Sequence, residues 1–234
     1  MTSTTTGRSA TGRGGTRGGA LTAVAWAVLL FGLWLWGREL TGGEPDMGGP
    51  VRLSDGRVLP APVRPLEGEA VPVRLGMDHP ALRAEVIERG VEPEGGVEPP
   101  PFEAADTAGW FRDGPVPGAA GAALLVGHVD TDTGRAVFYD LSTVEPGAEV
   151  EVLRSDGRTA VFTVERVDVV QRSAFDPEVV YGPHRKGRAE LRLITCGGEF
   201  DAERDSYSAN VVVSAYLTET RDPPGPGLNG SDRA

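Results

Sequence analysis

Residues 190–198 read Glu-Leu-Arg-Leu-Ile-Thr-Cys-Gly-Gly. Leu191 and Leu193 alternate with Arg192, Ile194 and Thr195 add β-branched bulk, and Gly197-Gly198 ends the run, so the spacing predicts a strand that finishes on Cys196. The surrounding chain repeats this character. Short, β-branched runs punctuated by Gly, Pro and Asp predict strands at 70–75, 122–129, 149–153, 158–170 and 210–217. Within 160–168 the apolar face switches partway, which predicts a bulge or bend. Helical patterns are few: 81–89, 137–141 and, weakened by Pro177, 174–180. This strand density fits a mostly β domain over residues 68–219 that closes into a barrel, since closure removes exposed edges.

Outside that domain the composition changes. Residues 1–19 are Ser, Thr, Gly and Arg without an apolar period, the signature of a disordered tail. Residues 20–37 (ALTAVAWAVLLFGLWLWG) are uncharged and mostly apolar, long enough for most of a ~30 Å hydrocarbon core. Trp34 and Trp36 sit at its far end, as interfacial aromatics do, and WGRELTGG carries no A-x-A cleavage site. An uncleaved single-pass anchor is expected, its alternatives being a buried helix or a signal peptide. Arg8, Arg13 and Arg17 precede it and Glu39 follows, which places the N-terminus in the cytoplasm and the domain outside. Residues 38–67, rich in Gly and Pro, read as a stalk, and 220–234 as a flexible C-terminal tail.

The chain has 23 basic and 34 acidic residues, a formal charge of −11, and a single lysine, Lys186. Such a balance excludes a polyphosphate-binding surface, so nucleic acid is not an expected partner. With one cysteine no intrachain disulfide can form. A lone thiol in an exported protein is either inert and buried or present for its reactivity.

Three positions carry candidate chemistry. In Leu125-Val126-Gly127-His128-Val129-Asp130 an apolar strand delivers His128 to a polar turn; alone, such a histidine is more often structural. His79 and His184 adjoin prolines and are expected to be solvated. Cys196 reads as a packed small hydrophobe or as a nucleophile, and polar Thr195 with the two glycines favours the second. Nucleophilic work requires the thiolate, hence a nearby imidazolium or guanidinium. Arg204, eight residues after the cysteine, is the candidate for an oxyanion-binding guanidinium, with pairing to Asp201, Glu203 or Asp205 as the plainer reading. Asp130-Thr131-Asp132 lacks a ligand cluster at metal spacing and is expected to be a solvated turn.

Five ordered stretches carry a resemblance: Ala108-Gly109-Trp110-Phe111 before Pro115 and Pro117; Leu125 to Asp130; Ala136-Val137-Phe138-Tyr139-Asp140-Leu141; Leu193 to Asp201; and Tyr207-Ser208-Ala209-Asn210-Val211-Val212-Val213. In this order they resemble the landmarks of the sortase family, in particular its actinobacterial class E/F members, over roughly residues 70–218. The resemblance implies an eight-stranded β-barrel and a cysteine transpeptidase with catalytic His128, Cys196 and Arg204. It implies cleavage of an LPxTG-like signal on secreted proteins between Thr and Gly, and transfer to an amine of a peptidoglycan precursor, without a cofactor. Two positions depart from the family pattern. Arg192 stands where the signature has threonine, and Asp205 where relatives carry arginine, so Arg192 is the alternative to Arg204. Rival readings are an L,D-transpeptidase or cysteine peptidase, and a tethered barrel that only binds wall polymers.

Overall fold

The computed structural model describes residues 49–93, 96–201 and 206–223. The expected tail at 1–19, the membrane span at 20–37 and Arg204 lie outside the described residues, as does the C-terminal tail beyond 223. No helix among the described residues is long and apolar enough to cross a membrane.

Strands β1 (Pro72–Met77) and β2 (Leu82–Arg89) form an antiparallel pair. β3 (Ala108–Phe111) runs parallel to β2, and β4 (Gly121–Val126) returns antiparallel to it. The short β5 (Asp130–Thr131) and β6 (Gly134–Arg135) pair only with each other. β7 (Glu149–Arg154) and β8 (Thr159–Gln171) are followed by a one-turn helix α1 (Pro177–Tyr181), then β9 (Ala189–Asp201) and β10 (Ser206–Arg221). Eight strands close in the order β1-β2-β3-β4-β9-β10-β8-β7, with β7 pairing back to β1. The expected closed, mostly β barrel is thus the observed fold.

Period-two burial builds it. Ala123 and Leu125, Val150 and Val152, Phe162 and Val164, Leu191 and Leu193, and Val211 and Val213 fill one interior. Burial of this kind stabilises by roughly 1.5–3 kcal/mol for each large apolar side chain. On the outer face Val126, Ile194 and Val212 meet Val180 of α1 in a second, smaller cluster, with Phe175 and Tyr181 packed against it.

Several expectations are corrected. The pattern at 81–89 forms strand β2, not a helix: Leu82 and Ala84 are buried while Arg83 and Glu85 are exposed, and β1 supplies the backbone partners, for example Leu75 opposite Ala84. Tertiary pairing here overrides local propensity. Residues 137–141 are turn, with a single 3-10 turn at Leu141–Thr143. The pattern at 174–180 contracts to α1, whose start is fixed by Pro177 in its first turn and by the Asp176 carboxylate, which accepts from the Glu178 N–H at 3.0 Å. The bend expected in β8 is present. Ser214 faces Arg166 and Ala215 faces Val164, so Glu165 is left out of the ladder.

The stalk expected at 38–67 differs where it is described. Leu59 is buried, the Val63 N–H donates to the Leu217 carbonyl at 3.0 Å, and the Tyr216 hydroxyl donates to the Pro60 carbonyl at 2.8 Å. From about residue 59 the chain runs along the barrel wall rather than free of it.

Candidate active site

β4 and β9 are parallel, with Val126 opposite Ile194. The pairing continues past the end of β4. The Gly127 N–H donates to the Ile194 carbonyl at 3.1 Å, and the Thr195 hydroxyl donates to the Gly127 carbonyl at 2.8 Å. One residue further on, His128 and Cys196 come to line the same cavity. On its other side Cys196 faces Asn210 of β10. Gly127 is required at the crossing, because a Cβ there would stand 2.6 Å from Val137 Cγ1 and 2.7 Å from Phe138 Cδ2. Gly198 has a φ of +79°, and a Cβ on it would meet the Ser208 hydroxyl, so the backbone after the thiol turns as only glycine does without strain.

The His128 ring is held from two directions. Its Nε2–H donates to the Pro100 carbonyl at 2.7 Å. Phe102 stacks on its face with ring centroids 4.5 Å apart and planes 23° from parallel. A carbonyl only accepts, so the proton sits on Nε2 and Nδ1 is the nitrogen left for chemistry.

Cys196 and His128 line one cavity of about 800 Å³ together with Asp130, Arg172 and Tyr207. The Tyr207 hydroxyl donates a short hydrogen bond to the Asp130 carboxylate, which pushes the phenol up to about 12. Burial pushes the Cys196 thiol up; Arg172 opposes this and the Asp130 carboxylate reinforces it. The resting sulfur is therefore mostly thiol at neutral pH and must be activated in place.

Residues 77–218, which include the parallel strand pair that ends near His128 and Cys196, match the family model for the sortase domain. The chain belongs to the sortase family. Sortases are cysteine transpeptidases. In fold the chain is similar to sortase A of Listeria monocytogenes, at 17% identity over 67% of this chain and 93% of that one, with a TM-score of 0.50. Sortase A of Corynebacterium diphtheriae is 16% identical over 69% of this chain and 67% of its own, with a TM-score of 0.49. Among curated proteins none matches the chain by sequence.

Within this sortase domain the alternative arginine is occupied elsewhere. Arg192 shares the outer face of β9 with Cys196 but lies four residues back, about 13 Å along the strand. Its buried guanidinium pairs with Glu190 at 2.6 Å and donates to the Gly182 carbonyl at 2.9 Å. Glu190 also binds Arg188 at 2.9 Å and the backbone N–H groups of His184 and Arg185. His184, expected to be solvated, belongs to this network: Arg166 donates to its Nε2 at 2.7 Å, and burial, with the charges of Arg192 and Arg166, holds its pKa down. Asp130 likewise is no free turn residue, being the acceptor for Tyr207.

The sequence reading missed Phe102, Arg172 and Tyr207. Asp130 had a usable signal, since it follows His128 by two residues and shares its strand parity. The other three come from separate segments that only closure of the barrel brings together.

Proposed function

We propose that this sortase cleaves an LPxTG-like sorting signal between Thr and Gly through a Cys196 thioester, and transfers the acyl group to a cell-wall amine. The observation that carries the reading is the juxtaposition of Cys196 and His128 by the parallel register of β9 and β4 inside one cavity. His128 Nδ1 takes the proton of the Cys196 thiol, and the resulting thiolate attacks the threonine carbonyl, forming a C–S bond and an oxyanion. The oxyanion collapses, the C–N bond breaks, and His128 gives its Nδ1 proton to the departing glycine amine. An acceptor amine then attacks the thioester, returns a proton to Nδ1, and releases the thiolate. Arg204 is assigned the oxyanion. The same reading assigns the chain to the actinobacterial class E/F group, anchors it through residues 20–37, and sets its domain outside the membrane. Its partners are then secreted proteins bearing sorting signals and a peptidoglycan precursor.

The test uses full-length protein in detergent with LPxTG and LAxTG peptides and a small amine acceptor. Mass spectrometry should find an acyl adduct on Cys196 and a transfer product, and Cys196→Ala should abolish both. Absence of the adduct with every sorting peptide, together with a Cys196→Ala strain of wild-type phenotype, would leave the polymer-binding barrel as the better account.

A further inference from the structure

Arg172 reaches the site from a third strand. Antiparallel pairing places Asn210 between Cys196 on one side and Val170 on the other, and Ala209 opposite Gln171. Arg172 follows Gln171, the last residue of β8, and opens a 3-10 turn just beyond the row that holds Cys196, Asn210 and Val170. Ser208, two residues before Asn210, is small, and its hydroxyl accepts from the Glu199 N–H at 2.9 Å. Arg172 lines the cavity and is exposed; its carbonyl accepts from the Phe175 N–H at 3.3 Å, while among the described residues its guanidinium enters no hydrogen bond or ion pair. Every other charged group the described residues contribute to that lining, His128 aside, is a carboxylate: Glu103, Asp130 and Asp132.

We propose that Arg172 is the cation that stabilises the anionic sulfur of Cys196, acting across β10 from the side opposite His128. Deprotonation of a half-buried thiol in a cavity lined by carboxylates is unfavourable, and an uncommitted guanidinium in the same lining is the group that offsets it. The titratable and charged groups that line the cavity with Cys196 are His128 after β4, Asp130 of β5, Tyr207 of β10, Arg172 after β8, Glu103 and Asp132. The charge of Arg172 lowers the thiol pKa, against burial and Asp130. This role rests on Cys196 being the reactive thiol and is separate from the oxyanion role assigned to Arg204.

The rate of Cys196 alkylation by iodoacetamide measures the thiolate, and a neutral reagent is not itself steered by the guanidinium. At pH 7.5 and low salt, Arg172→Ala in the full-length protein should slow alkylation by about three- to tenfold, the scale of a partly screened opposite charge. The same variant should move the alkylation pH profile upward, while Arg172→Lys should restore most of the rate. Raising salt to 0.5 M should slow wild type toward the variant. Arg166→Ala, on β8 and outside the cavity, serves as the control and should match wild type. An Arg172→Ala protein with unchanged rate and profile would overturn the proposal, as would Arg204→Ala shifting the profile when Arg172→Ala does not. Absence of an acyl adduct alongside the predicted alkylation shift would remove the transpeptidase reading and leave the role of Arg172 standing.

Discussion

The Thr195 hydroxyl donates to the Gly127 carbonyl at 2.8 Å, joining the residue before the cysteine to the residue before the histidine. Both groups are buried, so this bond fixes the register of the two strand ends where a single residue of slip would turn Cys196 or His128 to the opposite face.

Thr195→Val keeps the shape and removes the donor. It should cost about 1–3 kcal/mol in denaturant unfolding, because the Gly127 carbonyl loses its side-chain partner in a buried place. Peptide-cleavage kcat/KM should fall by roughly tenfold through misplacement of the pair. Thr195→Ser should recover most of both. A Thr195→Val enzyme of full activity would mean that the backbone pairing alone sets the register.

Phe102 is 68% exposed yet stacks on His128. Phe102→Ala should leave the melting temperature within a degree or two, since surface changes are usually within about 0.5 kcal/mol. It should nevertheless lower kcat/KM by several-fold, because the ring then keeps only the Pro100 carbonyl as an orienting partner. Equal kinetics in the variant would show that this one hydrogen bond suffices.

Asp130 raises the Cys196 thiol by its charge, on top of burial. Asp130→Asn removes that charge, so the thiol should ionise at lower pH and alkylation at pH 7.5 should accelerate about two- to fivefold. The Tyr207 phenol, now without a carboxylate acceptor, should titrate below its present value of about 12 when followed by ultraviolet absorbance. A slower alkylation in Asp130→Asn would contradict the sign.

Burial would raise the Glu190 carboxyl, but the His184 N–H, the Arg192 hydrogen bond, and the charges of Arg192 and Arg188 outweigh it and hold the pKa below the ordinary range. A carboxyl lowered on folding contributes stability that is complete above its unfolded value of about 4.3 and is lost as pH falls through the folded value. Acid unfolding of wild type should therefore be steeper than that of Glu190→Gln. At neutral pH Glu190→Gln should lose about 3–5 kcal/mol, because the buried Arg192 guanidinium loses its counter-charge and Arg188 keeps only Glu165. Arg192→Ala should lower the melting temperature too. Neither change should alter the alkylation pH profile of Cys196, whose site lies farther along β9.

What the sequence determined by itself is local and periodic. Alternation in 190–196 and 210–217, glycines after Cys196, and the apolar run into His128 establish the strands, the barrel and the two residues at their ends, because period-two burial and turn chemistry act over a few neighbours. The bulge at Glu165 was legible for the same reason, as a switch of face within one strand. Tertiary structure decided the rest. Residues 81–89 became β2 because β1 offers a ladder that local propensity does not report. Arg192 was withdrawn from the site by Glu190, although its parity matches Cys196. Phe102, Asp130, Arg172 and Tyr207 share a cavity with the thiol only because β4, β9, β10 and β8 lie side by side. Charge and stacking depend on distances in space, and residues 102 and 207 come to line one cavity only when the barrel closes.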